Sequence, residues 1–223
     1  MRPHWQVLLL ASAYLALALS YGFVNPLWEA TDEVRHFRYI RYLQVFHVLP
    51  EQTTDPARNA QAHHPPVYYL VAAIASAWVP TSDADPVFFD PPINPHWGFR
   101  YYEVGVDNKA QFLHGPEEAW PYHGNFLIAW IARWLSMLFG LAVVILTHRI
   151  GREAFPDRPA LAFGAAAFVA FNPNFLHTSS KLWNLQNNWL TFPNYEMIFC
   201  KVGNYLTRLP LKSSYHFRDQ TFH

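Results

Sequence analysis

WQVLLLASAYLALALSYGFV, residues 5–24, decides the fold class before any other stretch is considered. It holds no charged side chain, and about 20 residues at 1.5 Å each match a hydrocarbon core of roughly 30 Å. The rival reading is a cleavable signal peptide, since Ala16-Leu17-Ala18 resembles a cleavage site. The apolar run exceeds the usual signal-peptide core, which favours a span. Trp5, Tyr21 and Trp28 fit an aromatic belt at its two ends.

NPLWEATDEVRHFRYIRY, residues 25–42, follows directly. Asn25-Pro26 ends the first helix, and Thr31 is the expected N-cap of a second, from Asp32 to about Val45. Asp32 and Glu33 fall in its first turn, where the helix dipole favours acids. Val34, Phe37 and Ile40 make one side apolar, so this helix lies in an interface rather than across it. Asp32 and His36 are four apart and share a face. Arg35, Arg38 and Arg41 form a loose stripe that suits phosphates or lipid headgroups.

Two further runs are long enough to span, about 126–147 and about 160–178, the latter carrying Asn172-Pro173-Asn174 near its end. A shorter run, Val67–Val79, is expected to dip into the surface. Between these lies a proline-rich block in which a short helix is expected around Asp107–His114. The chain is 52% hydrophobic and 14% charged, against about 25% charged for a soluble domain. Formal net charge is +0, which supplies no field for nucleic acid, and the lone Cys200 excludes an intrachain disulfide. Arg2 and the Arg149–Arg158 turn belong on one side, the cytoplasmic one. Residues 25–125 then lie outside, and between Asn25 and Gly124 twelve acids face six bases. The expected architecture is an all-α integral membrane protein: about three transmembrane helices, with juxtamembrane helices in a large first extracytoplasmic loop. Residues 1–180 form this part, and 181–223 read as an atypical tail.

Asp32 and Glu33 are the leading chemical candidates. One carboxylate can take a proton from an attacking hydroxyl while its neighbour or His36 sets its orientation. The bland reading is an ordinary acidic helix start. His63-His64-Pro65-Pro66 enters the short apolar run, its histidines either phosphate contacts or plain loop residues. A zinc site from His36, His63 and His64 lacks any recognised ligand spacing. Arg133, inside the second span, is a functional or pairing candidate by default, or else snorkels to the interface.

Taken together, these motifs resemble the GT-C membrane glycosyltransferases, in particular the bacterial RgtA/B/C/D-like group related to ArnT-like and protein O-mannosyltransferase enzymes. The resemblance rests on Asp32-Glu33 with His36-Phe37, His64-Pro65-Pro66 before Tyr68-Tyr69-Leu70, Ala132-Arg133-Trp134-Leu135-Ser136, and Asn172-Pro173-Asn174-Phe175-Leu176. It implies transfer of a sugar from a polyprenyl-phosphate donor to an acceptor at the outer face of a bacterial plasma (inner) membrane. By resemblance Asp32 is the catalytic base with Glu33 beside it, and His36, His64 and Arg133 contact the donor phosphate or substrate. Some relatives use a divalent metal and others do not, so a metal stays open. The departure comes after Ser180, where the family's second acidic motif is missing. The chain therefore reads as an N-terminal fragment with an unrelated or frame-shifted tail, expected to be inactive alone. The alternative is a non-catalytic membrane protein whose outer loop binds a partner or lipid headgroups.

Overall fold

The computed structural model describes residues 5–30, 32–52, 61–81, 89–98 and 110–182. Six α-helices form: α1 (Trp5–Val24), α2 (Glu33–Phe46), α3 (Val67–Ala75), α4 (Gly124–Ala154), α5 (Pro159–Ala170) and α6 (Pro173–Ser179). No strand forms among the described residues; Ile93 and Phe112 make one isolated bridge. The chain divides into units Met1–Asn187 and Asn188–His223. The tail expected from 181 lies outside the described residues from 183 onward, whereas Leu182 is fully buried in the core.

α1 and α4 are long and apolar enough to cross a membrane. α1 buries Leu10, Tyr14, Ala18 and Gly22, a stripe at four-residue spacing, and leaves Leu8, Leu9, Leu19 and Phe23 exposed. A helix apolar all round with only one stripe covered suits a lipid surrounding. The stripe packs on α4, antiparallel: Gly22 meets Arg133, and Tyr14 meets Met137 and Gly140. Gly140 is required there, since a Cβ would fall 2.0 Å from Tyr14 Oη. Tyr14 donates instead to Ser179 Oγ at 2.8 Å, which joins α1, α4 and α6 at one point.

α4 runs for 31 residues, about 46 Å, beyond both ends of the expected 126–147 span. Near its start Trp130 contacts Phe23 at 4.9 Å and stacks on Tyr122 at 5.0 Å. The expected belt residue Trp28 is instead core, 1% exposed, against Phe37 and Phe89.

The third expected span is broken. α5 and α6 meet at a 60° bend around Asn172-Pro173. Pro173 has no N–H to continue α5, and Asn172 Oδ1 accepts from the N–H groups of Asn174 and Phe175, starting a new helix. The described residues thus hold two helices long and apolar enough to cross a membrane, or three if the bent pair counts as one.

α2 and α3 pack side by side and roughly parallel, with His36 and Tyr39 against Tyr69 and Gln44 bonded to Ala73 and Ser76. Tyr68 fixes α3 to α4 through Ala132 O at 3.1 Å and Ser136 Oγ at 2.8 Å. The helix expected around Asp107–His114 is absent from residues 110–114, which run extended; residues 107–109 lie outside the described set.

Candidate functional site

Five residues singled out above separate into a buried clamp, a histidine–tyrosine cluster and one half-open carboxylate. The clamp joins α2 to α4. Arg133 Nε donates to Glu33 Oε1 at 2.7 Å and Nη2 donates to Oε2 at 2.8 Å, a bidentate fork. Its remaining N–H groups go to the carbonyls of Gly22, Asn25 and Pro26 at 2.8–2.9 Å. A guanidinium has five N–H donors, and all five are used. Those carbonyls lie at the C-terminal end of α1, where helix carbonyls lack partners and carry partial negative charge. Arg133 therefore caps one span from inside another.

Glu33 is equally saturated. Besides the fork, Oε2 accepts from Trp28 N–H at 2.9 Å and Oε1 from Leu182 N–H at 3.1 Å. Both Glu33 and Arg133 are 0% exposed. Of the roles weighed for Arg133, pairing is the one its geometry satisfies.

Asp32 differs from its neighbour in every respect. It sits just before α2, at φ 62°, rather than in the first helical turn; Thr31, the expected cap, lies outside the described residues. Its side chain is 30% exposed and pairs with Arg35 at 2.8 Å. Trp28 is also left-handed, at φ 74°. For a bulky aromatic that conformation costs about 1–3 kcal/mol and persists only where the surroundings impose it. Burial among Phe37 and Phe89 and the bond to Glu33 impose it here.

His36 was expected to share a face with Asp32; because Asp32 precedes the helix, the two turn different ways. His36 is buried, its Nδ1 2.6 Å from Tyr69 Oη, its ring 5.2 Å from that of His64. Burial, with help from His64, His63 and Arg35, pushes its pKa down to about 3. The ring is neutral near pH 7, so it offers a hydrogen bond rather than a countercharge. His64 is half-buried and lies tilted against the exposed His63, ring centroids 4.1 Å apart. Among the described residues no group of three or more His, Cys, Asp or Glu is arranged to hold a metal ion.

The arginine stripe does not face outward as one surface. Arg35 remains exposed, but Arg38 reaches Phe89 O and Asp90, and Arg41 reaches Gln44 and Thr81. Arg38 and Arg41 are 4% and 5% exposed. Sequence reasoning missed Glu29, His114 and Glu118, which meet across the loop with His114 Nε2 3.0 Å from Glu29. With 85 positions between Glu29 and His114, no local spacing announces them. No family model matches the chain, and no curated protein or solved structure shows significant similarity to it, so its site is read from its own geometry.

Proposed function

We propose that the chain is built as a glycosyltransferase-like membrane protein that moves a sugar from a polyprenyl-phosphate donor to an acceptor hydroxyl at the outer membrane face. The observation that carries this reading is the division of labour between two adjacent carboxylates. Glu33 is saturated by four donors and has no lone pair direction left for chemistry. Asp32, held left-handed one residue away, is part-exposed and among the described residues its carboxylate pairs with the exposed Arg35. A fixed acid beside an open one supports Asp32 as general base with Glu33 and Arg133 as positioning residues. Strain concentrated in the Trp28–Asp32 turn points the same way. His64, rather than the buried neutral His36, is then the histidine better suited to a donor phosphate.

The rival reading is a non-catalytic membrane protein whose outer loop binds a partner or lipid headgroups, and its headgroup form needs an open cationic face. Burial of Arg38 and Arg41 weighs against it. The test is sugar transfer from a radiolabelled polyprenyl-phosphate sugar by membranes carrying the chain, alone and co-expressed with the remaining spans of a GT-C enzyme. Transfer is expected only in the second arrangement. Asp32→Asn should lower it about 100-fold or more, the scale of a lost general base. Undiminished transfer by that variant removes Asp32 from the mechanism; no transfer in either arrangement overturns the reading.

A further inference from the structure

Glu29, His114 and Glu118 form a carboxylate–imidazole–carboxylate line outside the site described above. His114 Nε2 lies 3.0 Å from Glu29 Oε1, and Nδ1 lies 3.0 Å and 3.1 Å from the two oxygens of Glu118. Glu29 also accepts from the N–H groups of Gln111 and Phe112, both at 3.0 Å. That segment is tied in turn to residues 92–94 through Leu113 N–H to Pro92 O and Asn94 N–H to Gln111 O. One imidazole therefore stands where the long loop meets the turn between α1 and α2.

Carboxylates only accept when ionised, so each of the two N···O lines needs its own proton. A neutral imidazole has one. The second must come either from protonating the ring or from a proton kept on Glu118. We propose that His114 is a proton-operated strap: with two protons it ties residues 110–118 to the turn carrying Asp32, and with one it lets that turn loosen.

Burial holds the Glu118 carboxyl above its usual range, opposed by the hydrogen bond to His114. Glu117 repels charge on Glu118, whereas Arg133 on α4 favours it, and Lys181 faces Glu29. A group that binds its proton more tightly when folded stabilises the closed form at low pH, and the gain is lost as pH rises. The strap closes in acid and opens toward alkaline pH. It stands whether or not Asp32 is a base.

Hydrogen exchange of the Gln111 and Phe112 amides, measured by mass spectrometry on the full chain in nanodiscs and corrected for intrinsic rates, tests this. Protection should fall at least about tenfold between about pH 5.5 and pH 8, since a charge-assisted bond is lost with the second proton. Glu118→Gln supplies an amide N–H to Nδ1 and should keep the segment protected at both pH values. His114→Gln cannot titrate and should also show no pH dependence. Equal protection of the unmodified chain at both pH values overturns the strap, as does a Glu118→Gln variant as pH-sensitive as its parent. Should His114→Gln fail to fold, the other two decide.

Discussion

A carboxylate survives full burial only when each of its lone-pair directions is met, and Glu33 meets that condition with Arg133 and two backbone N–H groups. The pair is therefore strongly coupled. Removing one partner leaves a bare buried charge, so Glu33→Leu or Arg133→Met alone should cost about 3–5 kcal/mol. The double variant should recover part of that loss, because two apolar side chains need no partners of their own, although the carbonyls of Gly22, Asn25 and Pro26 lose their donor and the N–H groups of Trp28 and Leu182 their acceptor. Thermal melts in detergent measure the cycle; additive losses would mean the two residues act independently. That two acids stand together was legible in the sequence, as was the need for Arg133 to find a partner. Which acid turns inward was not. That depends on Asp32 adopting φ 62° just before the helix, a left-handed setting that Asp tolerates but that no spacing in the sequence announces.

Elements show the same split between local and tertiary causes. The long apolar runs of α1 and α4, the latter interrupted by Arg133, are a property of composition, so both helices are readable along the chain. The break between α5 and α6 was marked by Asn172-Pro173, yet apolar content on both sides argued for continuity; the missing N–H of Pro173 and the Asn172 cap prevail. Contact between helices is harder to read, because one glycine in an apolar run looks like any other. Gly140 is where Tyr14 of α1 and Ser179 of α6 close on α4, with Ser179 Cβ 2.9 Å from the place a Cβ would take. Gly140→Ala should destabilise the bundle by about 1–3 kcal/mol through overpacking. Adding Tyr14→Phe should return part of it by removing the hydroxyl 2.0 Å from that methyl. Melting temperatures of the single and double variants check both statements. A neutral Gly140→Ala would mean that α1 and α4 are not held at this spacing.

For the whole molecule the open matter is orientation, and here helix register and charge agree. The α1–α4 pairing that sets Gly22 at Arg133 and Tyr14 at Gly140 runs on to bring Trp5 level with the stretch of α4 that carries Arg149 and Arg152. Arg149 and Arg152 thus lie at the end of the bundle where α1 begins, and we propose that this end is the cytoplasmic one, the side on which positive charge flanking spans is retained. The other end carries α2, α3, the Glu33–Arg133 clamp and the His114 line. α3 has only 9 residues, about 14 Å of helix, too short to take the chain across. It runs alongside α2 with Tyr69 stacked on Tyr39 at 3.9 Å, and the topology proposed here keeps both on one side. Single cysteines introduced at Asp90 and at Asp157, in a Cys200→Ser background, should therefore react differently with a membrane-impermeant maleimide in intact cells. Asp90→Cys should label from outside and Asp157→Cys only after the membrane is opened. Labelling of both from outside would mean that α4, the long apolar helix between the two positions, does not cross the membrane. Labelling of Asp157→Cys alone would invert the molecule and set Asp32 on the side opposite to the sugar transfer proposed for it.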